Sequence, residues 1–212
     1  MTAPTARHSK RKIPACINKQ GLLDTNFQYI WAGQEMQKAV KYSIFKTKWG
    51  HFGLAGTESG LLRTHLPAQQ PDKIRYQLLK NLQQAQFDKD FFKAIQQQII
   101  AYFDGDCINF NEDVPVILDG FSLFARGVLT ACRNVRFSET ISYGKLAERI
   151  GRAGAARAVG RVLAKNPLPL IIPCHRVIKS DGKIGGFSAT GGKDLKKKLL
   201  RHEQKQAAGR PK

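Results

Sequence analysis

The sequence predicts an α+β protein of two domains: a small N-terminal α/β domain with an antiparallel sheet at 37–117, and a mainly helical C-terminal domain at 118–205. Three observations lead there. Between residues 41 and 66, short apolar runs are broken by glycine turns, as in a chain of short strands. From residue 120 onward apolar residues recur at helical spacing instead. Charge divides at the same place: of a net +19, residues 120–212 hold 20 Lys and Arg against 5 Asp and Glu, whereas residues 1–119 hold 15 against 11. A chain of 212 residues, 42% apolar, builds such cores without covalent staples.

Residues 1–36 read as a basic, poorly ordered lead-in. Its run Ser9-Lys10-Arg11-Lys12 suits a solvated tail better than a site. Tyr42 to Thr47 and Phe52 to Ala55 read as strands around a turn at Trp49-Gly50, and Gly60 to Leu66 as a third. Ile74 to Gln86 and Phe91 to Phe103 carry Gln, Leu, Ile and Phe at helical spacing. Val114 to Leu118 reads as an extended piece. His51 and His65 lack partners at metal-ligand spacing and are expected to be structural or surface residues.

Ser122 to Val135 reads as an amphipathic helix with Leu123, Val128, Leu129 and Cys132 inward. Ser142 caps the next helix, Tyr143 to Ile150. The turn Gly151-Arg-Ala-Gly154 leads to a second helix, Ala155 to Lys165, in a helix-turn-helix layout. On that second helix Ala156, Val159, Gly160 and Leu163 share one face, and Arg157, Arg161 and Lys165 form a basic stripe on another. Its small residues let backbone approach a groove closely. A basic stripe in the charge-rich half points to nucleic acid as partner rather than to solubility alone.

Prolines 167, 169 and 173 exclude a helix through Asn166–Ile178 and predict a rigid extended path that delivers Cys174 from the core at a fixed place. Cys174 followed by His175 supplies a soft nucleophile and a base. A free thiol has a pKa of about 8.5 and must lose its proton to react well. The loops Ser180-Asp181-Gly182 and Gly185-Gly186-Phe187-Ser188 bring backbone close to a flat ligand. Lys193 to Glu203 reads as a helix with Leu195, Leu199 and Glu203 inward and Lys196, Lys197 and Lys198 outward. An inward carboxylate needs a partner, and His175 is the natural one, giving a Cys-His-Glu relay.

Ile141-Ser-Tyr-Gly-Lys-Leu-Ala, Ala155-Ala-Arg-Ala-Val-Gly160, Asn166-Pro and Pro173-Cys-His-Arg-Val together resemble the O6-alkylguanine-DNA alkyltransferases. The match is dense over the last 90 or so residues and weak through Lys41 to Pro115. The resemblance implies irreversible, stoichiometric transfer of an alkyl group from O6-alkylguanine in duplex DNA to Cys174, activated through His175, a bridging water and Glu203. It implies that Arg157 enters the duplex and fills the gap left by the flipped base. Tyr143 is implied to assist flipping and protonate the departing guanine, and Asn166 to tie the recognition helix to the active-site segment. Ala156, Arg161 and Arg176 are the further DNA contacts it implies, in the minor groove. Val177 and Ser188 would meet the base through backbone groups, with Phe187 and Pro169 walling the pocket. The implied fold is a ribonuclease H-like N-terminal domain and a winged helix-turn-helix C-terminal domain, acting as a monomer without a cofactor. Phe187 stands where some members carry Tyr, and the residues that hold zinc in other members are missing, so no metal is expected.

The four cysteines, Cys16, Cys107, Cys132 and Cys174, form no C-x-x-C pair, which argues against a disulfide framework and suits a reducing compartment. No signal-like segment and no run of about 18 apolar residues is evident. An intracellular protein is expected, cytoplasmic, or nuclear if eukaryotic. Among rivals, a helix-turn-helix regulator does not explain Pro-Cys-His-Arg or an inward Glu203. A cysteine hydrolase does not explain the basic helix, and a catalytically silent damage sensor would lack the cysteine.

Overall fold

The computed structural model describes residues 39–209, apart from 83 and 111–113. The expectations for the lead-in, for Ser9–Lys12 and for Cys16 lie outside the described residues. The described residues form one compact unit of α+β architecture.

Alternating apolar residues build three antiparallel strands: β1 (Lys41–Thr47), β2 (Gly50–Thr57) and β3 (Gly60–Ala68). The turn between β1 and β2 falls at residues 48–49, where Thr47 Oγ1 donates to Gly50 O at 2.7 Å. Phe45 pairs with Phe52 across it. Helix α1 (Pro71–Leu79) starts at a proline, whose missing N–H costs nothing in a first turn. It lays Ile74 and Leu78 on the sheet, directly over Gly53, where a Cβ would come within 2.6 Å of Ile74 Cγ2. The helix is shorter than the expected Ile74–Gln86. Arg63 binds the carbonyls of Leu78 and Lys80 at its end, and the chain then runs out to β4 (Gln86–Phe87), parallel to β1. The sheet order is β3-β2-β1-β4. Helix α2 (Lys93–Asp104) buries Ile95, Ile99, Tyr102 and Phe103 and stops at Gly105, whose φ of 126° suits glycine alone.

The helical half follows. Ser122 caps α3 (Leu123–Arg133) by accepting from Ala125 N at 3.2 Å. Val128, Leu129 and Cys132 face inward as expected. Leu123 does not: it is 80% exposed, because at the first position of the helix its side chain projects away from the stripe that begins at Ala125. Ser142, in β5 (Ile141–Ser142), caps α4 (Tyr143–Arg149) through Lys145 N at 3.1 Å. A turn through Gly151 and Gly154, both at positive φ, leads to α5 (Ala156–Leu163). A 3-10 turn at Cys174–Arg176 precedes β6 (Val177–Ile178), which pairs in parallel with β5. Helix α6 (Gly192–Ala208) closes the unit.

One apolar core runs through both halves, from Phe52 and Leu54 under the sheet, through Ile99 and Tyr102, to Leu129, Leu146, Ile172 and Leu199. No helix among the described residues is long and apolar enough to cross a membrane.

Candidate active site

The segment from Asn166 to Cys174 is held from three sides. Contrary to the extended path expected from its prolines, it turns at Leu170, whose φ is 80°. Proline fixes its own φ but leaves the next residue free, and here that residue reverses the chain so that Leu168, Leu170, Ile171 and Ile172 are all buried. On one side β3 grips it: Pro167 O accepts from Thr64 N at 3.0 Å and Pro169 O from Thr64 Oγ1 at 2.8 Å. On another, Asn166 braces it from within, donating Nδ2–H to Ile172 O at 2.8 Å and to Cys174 Sγ at 3.2 Å while accepting from Leu168 N. Third, β5–β6 pairing sets Ile141 opposite Val177, so the residue after Ser142, Tyr143, is fixed close to the cysteine turn.

Glu203 organises the ground around this turn. It is fully buried and accepts from Tyr102 Oη (2.8 Å), Ser138 N (3.0 Å), His175 Nε2 (2.8 Å) and both Nε (3.0 Å) and Nη2 (3.0 Å) of Arg176. The expected His175–Glu203 pair is therefore present. Burial works against the charge on Glu203, but the bonds from His175 and the guanidinium of Arg176 outweigh it and hold the carboxyl far below the usual carboxylate range. Burial pushes the His175 imidazole below its ordinary value, more strongly than the adjacent carboxylate raises it. His175 is thus neutral near pH 7. A carboxylate only accepts, so the imidazole proton sits on Nε2, and Nδ1 is left as a buried lone pair with no partner among the described residues.

Two expectations about cations are corrected. Arg176, expected to contact DNA, is only 2% exposed: besides Glu203 it donates to Val135 O at 2.6 Å and lies 5.7 Å from the Phe137 ring. In a 3-10 turn, three successive side chains diverge, and the third points into the core where the carboxylate waits. Lys196, expected on the exterior of α6, is fully buried. Its Nζ donates to Val177 O at 2.6 Å and Cys174 O at 3.4 Å, and lies 5.7 Å and 6.0 Å from the rings of Tyr143 and Phe187. Lys196, Leu199 and Glu203 stand at i, i+3, i+7, a single helical face; this spacing is legible in the sequence but masked there by three consecutive lysines. Burial lowers the Lys196 ammonium from its ordinary value, and the nearby Cys174 acts in the opposite direction. Tyr102, donor to Glu203, carries no such signal in the sequence.

Burial pushes the Cys174 thiol up; the Asn166 bond and the charge of Lys196 pull it back only in part. The thiol is protonated at rest and needs a base. It opens into a cavity of about 770 Å³ whose walls include Tyr143, Ala156, Arg157, Gly160, Phe187 and Ser188. Burial likewise raises the Tyr143 phenol, which stays protonated and able to donate. Gly185 is required beside it, because a Cβ there would lie 2.5 Å from the Tyr143 hydroxyl oxygen.

Cys174, Tyr143, Ala156, Arg157, Phe187 and Ser188 thus converge on one cavity, while Asn166 and Pro169 border the thiol from the other side. Arg161 is exposed farther along α5. Val177 is buried away from the cavity: its N–H donates to Cys174 O, and its carbonyl accepts from Lys196. Among the described residues no cluster of His, Cys, Asp and Glu is arranged to hold a metal, and Cys107, Cys132 and Cys174 are free thiols.

Residues 123–205 match the family model described as the DNA-binding domain of 6-O-methylguanine DNA methyltransferase. The chain is 34% identical over 163 residues to a methylated-DNA--protein-cysteine methyltransferase of Methanosarcina acetivorans, covering 76% of this chain and 97% of that one. It is 51% identical over 81 residues to the protein of the same name in Mus musculus, covering 38% of each. Among solved structures, Mycobacterium tuberculosis OGT in complex with DNA superposes with a TM-score of 0.66 at 33% identity, covering 78% of this chain and 94% of that one.

Proposed function

Since the chain belongs to the methylated-DNA--protein-cysteine methyltransferase family, we propose that it repairs DNA by moving an alkyl group from O6-alkylguanine in a duplex onto Cys174, once per chain. One observation carries this reading above the others. A protonated cysteine opens into a cavity beside the basic helix α5, and the residue next to it is a neutral histidine whose tautomer is locked by a buried carboxylate.

The chemistry follows from those groups. Nδ1 of His175, the lone pair left over, takes the thiol proton through a bridging water, and Glu203 stabilises the imidazolium so formed. The sulfur attacks the carbon bonded to guanine O6. The S–C bond forms as the C–O bond breaks, and the electron pair stays with the base. Tyr143 donates its proton to the departing guanine and is reprotonated, through water, by the His175 imidazolium, so the net change is one proton lost by the thiol and one gained by guanine. The product is a thioether, which water does not cleave, and each chain is consumed by one transfer.

Helix α5 presents the DNA-facing surface, with small Ala156 and Gly160 allowing close approach in the minor groove. Arg157 occupies the gap left when the base swings out, and Arg161 adds a contact outside the pocket. An alkylated guanine pairs poorly, so extruding it costs less than extruding a normal base. Phe187, Ser188 and Pro169 bound the pocket, and Asn166 positions the thiol. We assign α4, α5 and the β5–β6 pair to a winged helix-turn-helix domain beginning near residue 118. We assign the preceding sheet and helices to a ribonuclease H-like domain. The protein acts as a monomer, in an intracellular compartment reducing enough to keep Cys174 a thiol.

Intact-protein mass spectrometry after incubation with a duplex carrying one O6-methylguanine tests the reading. A gain of one methyl group on Cys174, absent in Cys174→Ser, is expected; tight binding without mass gain would refute it.

A further inference from the structure

Three side chains converge on one oxygen of Glu203. Oε1 accepts from Tyr102 Oη at 2.8 Å, from His175 Nε2 at 2.8 Å and from Arg176 Nη2 at 3.0 Å. The other oxygen, Oε2, takes Ser138 N and Arg176 Nε, each at 3.0 Å. A carboxylate oxygen offers about two lone-pair directions, so the donors on Oε1 divide a limited acceptor strength. Among them His175 alone changes charge when the thiol proton moves. Tyr102 alone comes from the N-terminal half, on α2, 101 residues before Glu203.

Tyr102 is a permanent donor. Its side chain is fully buried, with the rings of Phe103, Phe110, Phe137 and His202 packed around it at 5.1 to 6.0 Å. Burial and the charge on Glu203 push the phenol well above its ordinary value, so it keeps its proton throughout the range in which a histidine titrates. A hydroxyl donating to a carboxylate makes a charge-assisted bond, strong enough to compete with an imidazole N–H for the same oxygen. The other groups bearing on His175 are the cations Arg176, beside it, and Lys196 of α6, which oppose its protonation, and Glu203, which favours it. Cys174 precedes it in the chain, and Cys132 of α3 and Tyr143 of α4, both coupled to Cys174, are held protonated. Tyr102 therefore acts on the one partner that favours the imidazolium.

We propose that Tyr102 is a positioning residue of the proton relay: by occupying Glu203 Oε1 beside His175, it limits how strongly the carboxylate holds the imidazole. Through that limit it sets how readily Nδ1 takes a proton. The proposal rests on His175 serving as the base for Cys174. With the hydroxyl removed, Oε1 is left to His175 and Arg176, the imidazole–carboxylate bond strengthens, and the imidazolium forms more easily. On lowering the pH, the free lone pair of Nδ1 is then lost sooner.

Tyr102→Phe keeps the ring and removes the hydroxyl alone. Nitrogen-edited NMR of the full chain follows the His175 titration from about pH 8 to pH 4, and single-turnover methyl transfer is measured over the same range. In Tyr102→Phe the His175 midpoint should rise by at least about half a pH unit, or about threefold in the protonation equilibrium, and the acid limb of the rate should rise with it. Phe103→Leu loosens the same core without touching Glu203; it should lower the melting temperature and leave both midpoints in place. An unmoved His175 midpoint in Tyr102→Phe, or an equal rise in Phe103→Leu, would overturn the proposal and show a tyrosine that only packs. A raised imidazole midpoint with an unmoved acid limb would instead overturn His175 as the base, and the relay role of Tyr102 with it.

Discussion

Replacing Glu203 by Gln perturbs the most heavily bonded side chain of the site while preserving its shape. The carboxylate faces donors alone: a phenol, a backbone N–H, an imidazole N–H and two guanidinium nitrogens. An amide turns one acceptor atom into a donor, so at least one of these contacts becomes donor against donor. The larger effect is on Arg176, which is 2% exposed and would lose its counter-charge, keeping only neutral partners: the remaining amide oxygen, Val135 O and the face of Phe137. Breaking a buried pair from one side costs about 3–5 kcal/mol, because the remaining charge stays desolvated. For a chain of this size each kcal/mol moves the melting temperature by about 2–4 °C, so Glu203→Gln should melt roughly 6–20 °C below wild type. Thermal denaturation followed by circular dichroism at pH 7 reads this directly. The double variant Arg176→Met with Glu203→Leu removes both charges but leaves Tyr102 Oη, Ser138 N and His175 Nε2 without an acceptor, so it should recover only part of the loss. It should still fail to transfer methyl efficiently, because His175 loses its orienting partner. A Glu203→Gln protein melting within about 2 °C of wild type would refute the buried-charge reasoning.

Gly185→Ala should lower the transfer rate by about 10- to 100-fold with little change in binding to undamaged DNA, because the new methyl displaces the Tyr143 hydroxyl it would otherwise touch; an unchanged rate would show that Tyr143 tolerates the shift. Arg161→Ala should reduce the slope of log affinity against log salt by about 1, as expected for one lost phosphate contact, whereas an unchanged slope would place Arg161 off the DNA. His175 is held neutral in the fold, so below its ordinary pKa of about 6.5 the unfolded chain binds a proton that the folded one does not; its contribution is present above that value and is lost as pH falls. The melting temperature should therefore fall between about pH 7 and pH 5, and less steeply in His175→Gln. Lys196→Met should move the midpoint of Cys174 alkylation by iodoacetamide to higher pH while Lys196→Arg restores part of it; a midpoint unmoved in the Met variant would show that the ammonium does not reach the sulfur.

The sequence displayed the site more fully than the fold around it, for physical reasons. Ser122 and Ser142 announce helix starts because an N-cap needs a side-chain acceptor, and both bonds are present. The i, i+4 relation of Leu199 and Glu203 turns the carboxylate inward, and its chemistry then demands a cation or an imidazole. Arg176 and Lys196 escaped because a charged side chain reads as solvent-facing unless its partner is known, and those partners lie 27 residues from Arg176 and 19 to 22 from Lys196. Strand β4 escaped because two exposed residues, Gln86 and Phe87, carry no alternation to read. The turn at Leu170 is set by what grips the chain from β3, a contact more than a hundred residues away in sequence.

The two buried cations differ in a way that separates stability from chemistry. Arg176 has a full-time counter-charge in Glu203, and the pair is complete before any substrate arrives. Lys196 has no carboxylate partner among the described residues; two backbone carbonyls and two ring faces partly offset its desolvation. The anion that would balance it is the thiolate of Cys174, which exists only while the reaction is under way. A positive charge placed in advance where negative charge will develop, in a site shielded from water, stabilises the reacting state more than the resting one. It also explains why burial is tolerated here: the desolvation that keeps the resting thiol protonated is what strengthens the attraction once the proton has left.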